Sequence, residues 1–215
     1  MTSGLAYYEQ NYKDYELQNP LRKARYYHGL LSRGLAGRSW DGLKILDVGC
    51  AFGGFLGTLP QSSRRFGQEM IAEAVDVARG AVPGADFRCH CLPEIAFVEV
   101  FDAIVAFDVL EHVPDLQATK SSILGKLSPT GTFVFVVPVY DGITGPIISL
   151  LDKDPTHVHK RSRWFWLDWL GAEFEIVDWV GIYRYLLGRW YLHYPTRALR
   201  RHTPAIAVVA RPTGS

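Results

Sequence analysis

Cysteine is scarce in this sequence: Cys50, Cys89 and Cys91 are the three among 215 residues. An odd count, with two of them separated by a single residue, argues against a disulfide-stapled scaffold and leads us to expect a reduced, cytoplasmic setting. Long apolar runs are missing too. No stretch reaches the roughly 18 residues that a membrane span needs, and the opening MTSGLAYYEQNYKDYEL has neither the charged start nor the apolar run of an export signal. Net charge is nearly absent, +1 from 23 basic and 22 acidic residues, so no electrostatic footprint calls for nucleic acid or a membrane surface. Acidic residues also stop early. None follows Asp178, whereas Arg184, Arg189, Arg197, Arg200, Arg201 and Arg211 do. That basic stretch reads either as a solvated face or as a surface favouring an anionic acceptor.

With 48% apolar and 21% charged residues, the chain has the composition of a globular protein. Its length suits one buried core, and we expect a single domain over 1–215. Within it we place a helical cap at 1–40, a cofactor-binding half at 41–140 and an acceptor-side half at 141–215. Tyr8, Tyr12 and Tyr15 share a helical face, and Pro20 divides that helix from a second. Strands are expected at 44–48, in RRFGQE, ADFRC, FDAIVAFD, GTFVFVVPVY and EFEIVDWVGIY, and in PAIAVVAR. Helices are expected at 52–59, in MIAEAVDVARG, in LQATKSSILGKL and in SRWFWLDWLGA. Such alternation predicts an α/β fold with a mostly parallel sheet of seven strands and helices on both faces.

The most informative stretch is Ile45-Leu46-Asp47-Val48-Gly49-Cys50-Ala51-Phe52-Gly53-Gly54, a strand running into a turn of small residues. Small residues let a ligand approach the backbone closely. G-x-A-x-x-G also fits a dinucleotide fingerprint loosely. Asp47 weighs against that, because a carboxylate there would repel a pyrophosphate but attract the sulfonium and ammonium of adenosylmethionine. Glu69, 20 residues after Gly49, is placed to accept hydrogen bonds from ribose hydroxyls, which either cofactor would use. A nicotinamide-dependent oxidoreductase therefore stays as a rival reading.

LDVGCAFGGFL, FGQEMIAEAVDVAR, FDAIVAFDVLEHVPD and KDPTHVHKRSRWFWLDWLGAEFEIV together resemble successive motifs of class I S-adenosylmethionine-dependent methyltransferases of the small-molecule branch. The resemblance covers roughly residues 40–180 and implies a Rossmann-like sheet whose last hairpin is reversed. It also implies cofactor contacts at Asp47, Gly49, Cys50, Ala51, Gly53, Glu69 and Met70, at Cys91 and Leu92 beside the adenine, and at Phe107 and Asp108 near the sulfonium. Cys91 stands where many members carry an Asp. From the cap, Tyr12 is a candidate lid contact, and Arg22 or Arg25 a partner for the cofactor's carboxylate.

Methyl transfer from a sulfonium needs alignment first, and for an oxygen or carbon acceptor a base as well. Candidates are His157, His112, Asp108 and His159. The reading is methyl transfer to a small molecule, with oxygen of a secondary metabolite or sugar-like compound favoured over nitrogen and carbon. A protein of this type that binds the cofactor for a cyclisation or a regulatory task is the alternative. No metal is expected. His157 and His159 would share a side of an extended segment, but no third ligand is evident. CHC at 89–91 reads as a strand end with two buried thiols. Trp164, Trp166, Trp169 and Trp179 read as core or interface, and a homodimer stays open.

Overall fold

Lys44–Val48 is short and apolar, bounded by Gly42 and Gly49, and it forms the central strand β1 of a single sheet. The computed structural model describes residues 15–142, 145–152, 154–187 and 190–214. Short helix α1 (Tyr15–Gln18) and longer α2 (Leu21–Gly34) are divided at Pro20, as the ring's fixed φ and missing N–H require. Strands β2 (Arg64–Glu69), β3 (Asp86–Cys89), β4 (Phe101–Phe107) and β5 (Leu127–Pro138) follow, with α3 (Ala72–Ala81) and α4 (Leu116–Lys126) as crossovers. The Asp115 side chain caps α4 by accepting from the Ala118 amide at 2.9 Å. The chain then forms α5 (Gly145–Leu151), α6 (Arg163–Trp169), β6 (Phe174–Leu187), β7 (Trp190–Thr196) and β8 (Ala205–Pro212).

The strand order is β3-β2-β1-β4-β5-β8-β6-β7. Pairs among β1 to β5 are parallel, β8 runs antiparallel between β5 and β6, and β7 pairs antiparallel with β6. The sheet thus has eight strands rather than the expected seven. The extra one is β7, whose sequence WYLHYPT contains a proline and lacks clean alternation; it is an edge strand, where proline is tolerated.

Period-2 alternation sorts the core. Ile45, Ala103, Val105, Val134 and Val136 face Tyr27, Leu30 and Leu31 of α2 and Val75 and Ala78 of α3. Leu46, Val48, Ile104, Ala106, Phe133 and Phe135 face Leu116 and Ile123 of α4 and Trp166 and Trp169 of α6. Helix α2 docks closely at Gly34, where a Cβ would lie 2.7 Å from Thr132 and 2.9 Å from Val209. Only glycine lets the helix end approach β5 and β8 so closely.

One expected helix is not there. Residues 52–59 make turns and a single 3₁₀ turn, Leu56–Thr58. Gly53 sits at φ +76°, and Gly54 and Gly57 add backbone freedom, so helix propensity is too low to propagate. The thiols at 89–91 also depart from expectation. Cys89 and Cys91 are exposed, because β3 is the edge strand beside β2, and the buried cysteine is Cys50. Trp166 and Trp169 are core, as expected; Trp164 is half exposed and lies edge-on to Trp179.

Candidate active site

The carboxyl ends of β1, β2 and β4 converge where an open α/β sheet binds ligands. Leaving β1, the chain turns through Gly49 (φ +73°) and Ala51 (φ +45°), and the Gly49 and Cys50 amides both donate to the Gln68 carbonyl. The Ala51 amide donates to Glu69 Oε2 at 3.1 Å, and the Ile71 amide donates to Oε1 at 3.2 Å. Glu69 therefore braces the turn as well as offering a carboxylate. Asp47 is buried close by, and that burial, reinforced by the charge of Glu69, pushes its carboxyl well above the ordinary range. Two buried carboxylates side by side suit a cationic ligand, which relieves their repulsion; they suit a pyrophosphate poorly. The residues present thus fit the adenosylmethionine expected from the sequence.

A Cβ on Gly49 would collide with the Val109 Cγ2, so the space over the turn holds a side chain from the loop after β4. Gly53 donates its amide to the Cys50 carbonyl. Met70, just past the end of β2, is 67% exposed. Cys91 is exposed, its carbonyl 3.1 Å from His90 Nδ1, and Leu92 is partly buried against the core. The Phe107 ring stacks on Tyr27 at 4.4 Å and meets Phe55 edge-on at 5.0 Å.

Asp108 adopts φ +58° and is ion-paired twice, to Lys23 Nζ at 3.2 Å and to the Arg184 guanidinium. Burial opposes its charge, but Arg184 and Lys23 outweigh that and hold its carboxyl well below the usual range. So strong an acid is a poor proton acceptor, which removes Asp108 from the bases suggested by the sequence. Arg22 is exposed on α2; the neighbouring Lys23 is the buried one. Sequence reasoning missed Lys23, although it lies on the apolar stripe of α2 with Tyr27, Leu30 and Leu31. Arg184 was seen only as part of a basic stretch. Of the others, Arg197 pairs with Asp178, and Arg200 stacks on Trp179 at 4.2 Å. Tyr12 lies outside the described residues.

The same loop then brings in Leu110–His112. His112 Nδ1 lies 3.2 Å from the Thr156 carbonyl and 2.9 Å from its Oγ1. The His157 ring is 4.6 Å from that of His112, centroid to centroid. His157 Nδ1 is 2.7 Å from Asp152 Oδ2 and 3.1 Å from the Tyr140 hydroxyl, which itself donates to Asp152 at 2.5 Å. Burial raises Asp152, but the hydrogen bonds from His157 and Tyr140 prevail and hold it at about 2. His159 turns elsewhere: its Nε2 donates to the Val113 carbonyl at 2.9 Å and its amide to the Glu111 carbonyl. The histidine pair is therefore His112 with His157, not His157 with His159. Burial and the neighbouring His157 lower the pKa of His112, so its ring is neutral near pH 7.

Among the described residues, no helix is long and apolar enough to cross a membrane. In sequence, the chain is 31% identical over 100 residues to a ubiquinone biosynthesis O-methyltransferase of Rhodopseudomonas palustris, a match covering 42% of this chain and 38% of that enzyme. The chain thus matches well under half the length of that relative. In fold it is similar to the putative methyltransferase complexed with the Trm112 activator of Haloferax volcanii, with a TM-score of 0.70, 16% identity and 98% of both chains covered. It is also similar to the N-methyltransferase NodS of Bradyrhizobium japonicum, solved with S-adenosyl-L-homocysteine, with a TM-score of 0.62, 16% identity and 90% and 88% covered. A family model described as a methyltransferase domain matches residues 18–185, most of the sheet and both candidate clusters, and the chain belongs to that methyltransferase domain family.

Proposed function

We propose that this chain transfers the methyl group of S-adenosylmethionine to an oxygen of a small-molecule acceptor. One observation carries the reading: the loop 107–112 joins a turn flanked by two buried carboxylates, Asp47 and Glu69, to the paired imidazoles of His112 and His157. When bound, adenosylmethionine supplies an activated methyl group on a sulfonium, and transfer is one displacement. Asp47 and Glu69 would hold the cationic methionine part and the ribose. Lys23 and Arg184 carry one more positive charge than Asp108 cancels, and that excess would hold the carboxylate of the methionine part, the task the sequence suggested for Arg22. Asp108 positions these two cations. At the acceptor, the Asp152 carboxylate holds the proton of His157 on Nδ1 and leaves Nε2 to take the hydroxyl proton. The relative's O-methyltransferase name supports oxygen over nitrogen.

The test is mass spectrometry after incubation with methyl-labelled adenosylmethionine and a panel of phenols, aliphatic alcohols, sugars and amines. Labelled oxygen products are expected. Products on amines alone would overturn the oxygen assignment. Tight cofactor binding with no product across the panel would point to a non-methylating task.

A further inference from the structure

We infer that Glu111, His112 and His157 form a binding site for one divalent transition-metal cation, of the kind that imidazole favours, such as Zn²⁺ or Mn²⁺. Among the described residues this is the one His/Cys/Asp/Glu group whose ligand atoms gather closely, all within 4.8 Å of one another. Nitrogen and oxygen ligands about 2.1 Å from a tetrahedral ion stand about 3.4 Å apart, so side-chain rotation of little more than about 1 Å would close the site.

Three observations make this more than proximity. First, both rings are held in the tautomer that a metal needs. A carbonyl only accepts, so His112 Nδ1 carries its proton towards Thr156 O and the lone pair lies on Nε2. The Asp152 carboxylate, already accepting from Tyr140, likewise holds the His157 proton on Nδ1 and leaves the lone pair on Nε2. A carboxylate or carbonyl behind each histidine is the outer shell that orients metal-ligating imidazoles. Second, Glu111 is 1% exposed, and its Oε2 is buried without a hydrogen-bond partner. A buried carboxylate oxygen left unmatched is costly, and a cation supplies the missing partner. Third, two imidazoles and one carboxylate are a recurring transition-metal set that leaves positions for water or a substrate oxygen. Asp154 Oδ2, 3.8 Å from His157 Nε2, adds negative charge at the margin. Lys160 pairs with Asp152, behind His157.

With a cation bound, His157 serves as a ligand in place of the proton-accepting role proposed above. The inference shares that site with the proposed function but is tested without cofactor or acceptor. Chelator-treated full-length protein is titrated with Zn²⁺ and separately Mn²⁺, by calorimetry and by metal analysis after equilibrium dialysis. One equivalent is expected. His112→Asn, His157→Gln and Glu111→Gln should each weaken binding at least about 10-fold, and Asp152→Asn by about 10- to 100-fold through the outer shell. His159→Gln should bind like the parent. Thermal melts identify variants that fail to fold; the milder Asp152→Asn then carries the comparison. No binding, or equal binding in parent and folded variants, overturns the site. That result leaves methyl transfer standing, whereas metal binding in a protein without transfer activity overturns the proposed function alone.

Discussion

The carboxylate of Glu69 and the amide of Ala51 are joined by a 3.1 Å hydrogen bond that ties the end of β2 to the turn after β1. Replacing Glu69 with Ala should therefore remove both a ribose acceptor and a brace. We expect cofactor affinity to fall by about 1.5–3 kcal/mol in a folded protein. Calorimetry with adenosylhomocysteine checks this, and unchanged affinity would end the assignment.

Asp47 should couple cofactor binding to proton release. Burial and Glu69 raise its carboxyl pKa, so the ligand-free protein holds a proton there over part of the range above the usual carboxylate value. A sulfonium or ammonium beside it favours the charged form. Affinity should rise with pH between the bound and the free pKa and level off above the free one. Calorimetry in buffers of different ionisation enthalpy reads the released proton, and Asp47→Asn should abolish the effect.

At Gly49, a side chain faces both φ +73° and a collision of its Cβ with the Val109 methyl group. Gly49→Ala should destabilise the fold by about 1–3 kcal/mol through the left-handed backbone alone. Adding Val109→Ala should recover the part due to the contact, as a lower denaturant midpoint in the single variant than in the double would show.

Breaking the Asp108 triad should cost more than a surface pair does. Asp108→Ala leaves the buried Lys23 and the partly buried Arg184 unmatched, and a loss of about 3 kcal/mol is expected. Because the folded pKa of Asp108 is depressed, its stabilising share is fully present above the unfolded value of about 3.9 and is lost as pH falls through the folded one. Acid unfolding of parent and variant should therefore converge towards low pH. Parallel curves would show that the charge of Asp108 contributes nothing to the difference.

His157→Ala and His157→Gln should each lower kcat by on the order of 100-fold at saturating cofactor, with cofactor affinity intact. Near-normal turnover in both would return His157 to a purely structural role.

The residues legible in the sequence were those whose role is set locally. Continuous apolar runs at 44–48 and 101–107 declared buried parallel strands, and Asp47 and Glu69 were readable because each lies at the carboxyl end of a strand, Asp47 just before the small-residue turn. The 52–59 helix failed for an equally local reason, its glycines, which the apolar periodicity had masked. The cluster at His112 is different. Its Nδ1 is fixed by Thr156, 44 residues away, and Asp108 is paired to Lys23 and Arg184 across 85 and 76 residues. The sequence by itself therefore determined the layered α/β architecture and the cofactor turn, because periodicity and turn chemistry act over a few residues. Only the tertiary structure decided which histidines meet, which cations answer Asp108 and that an eighth strand joins the edge, because those pairings depend on how the crossovers bring distant strand ends together.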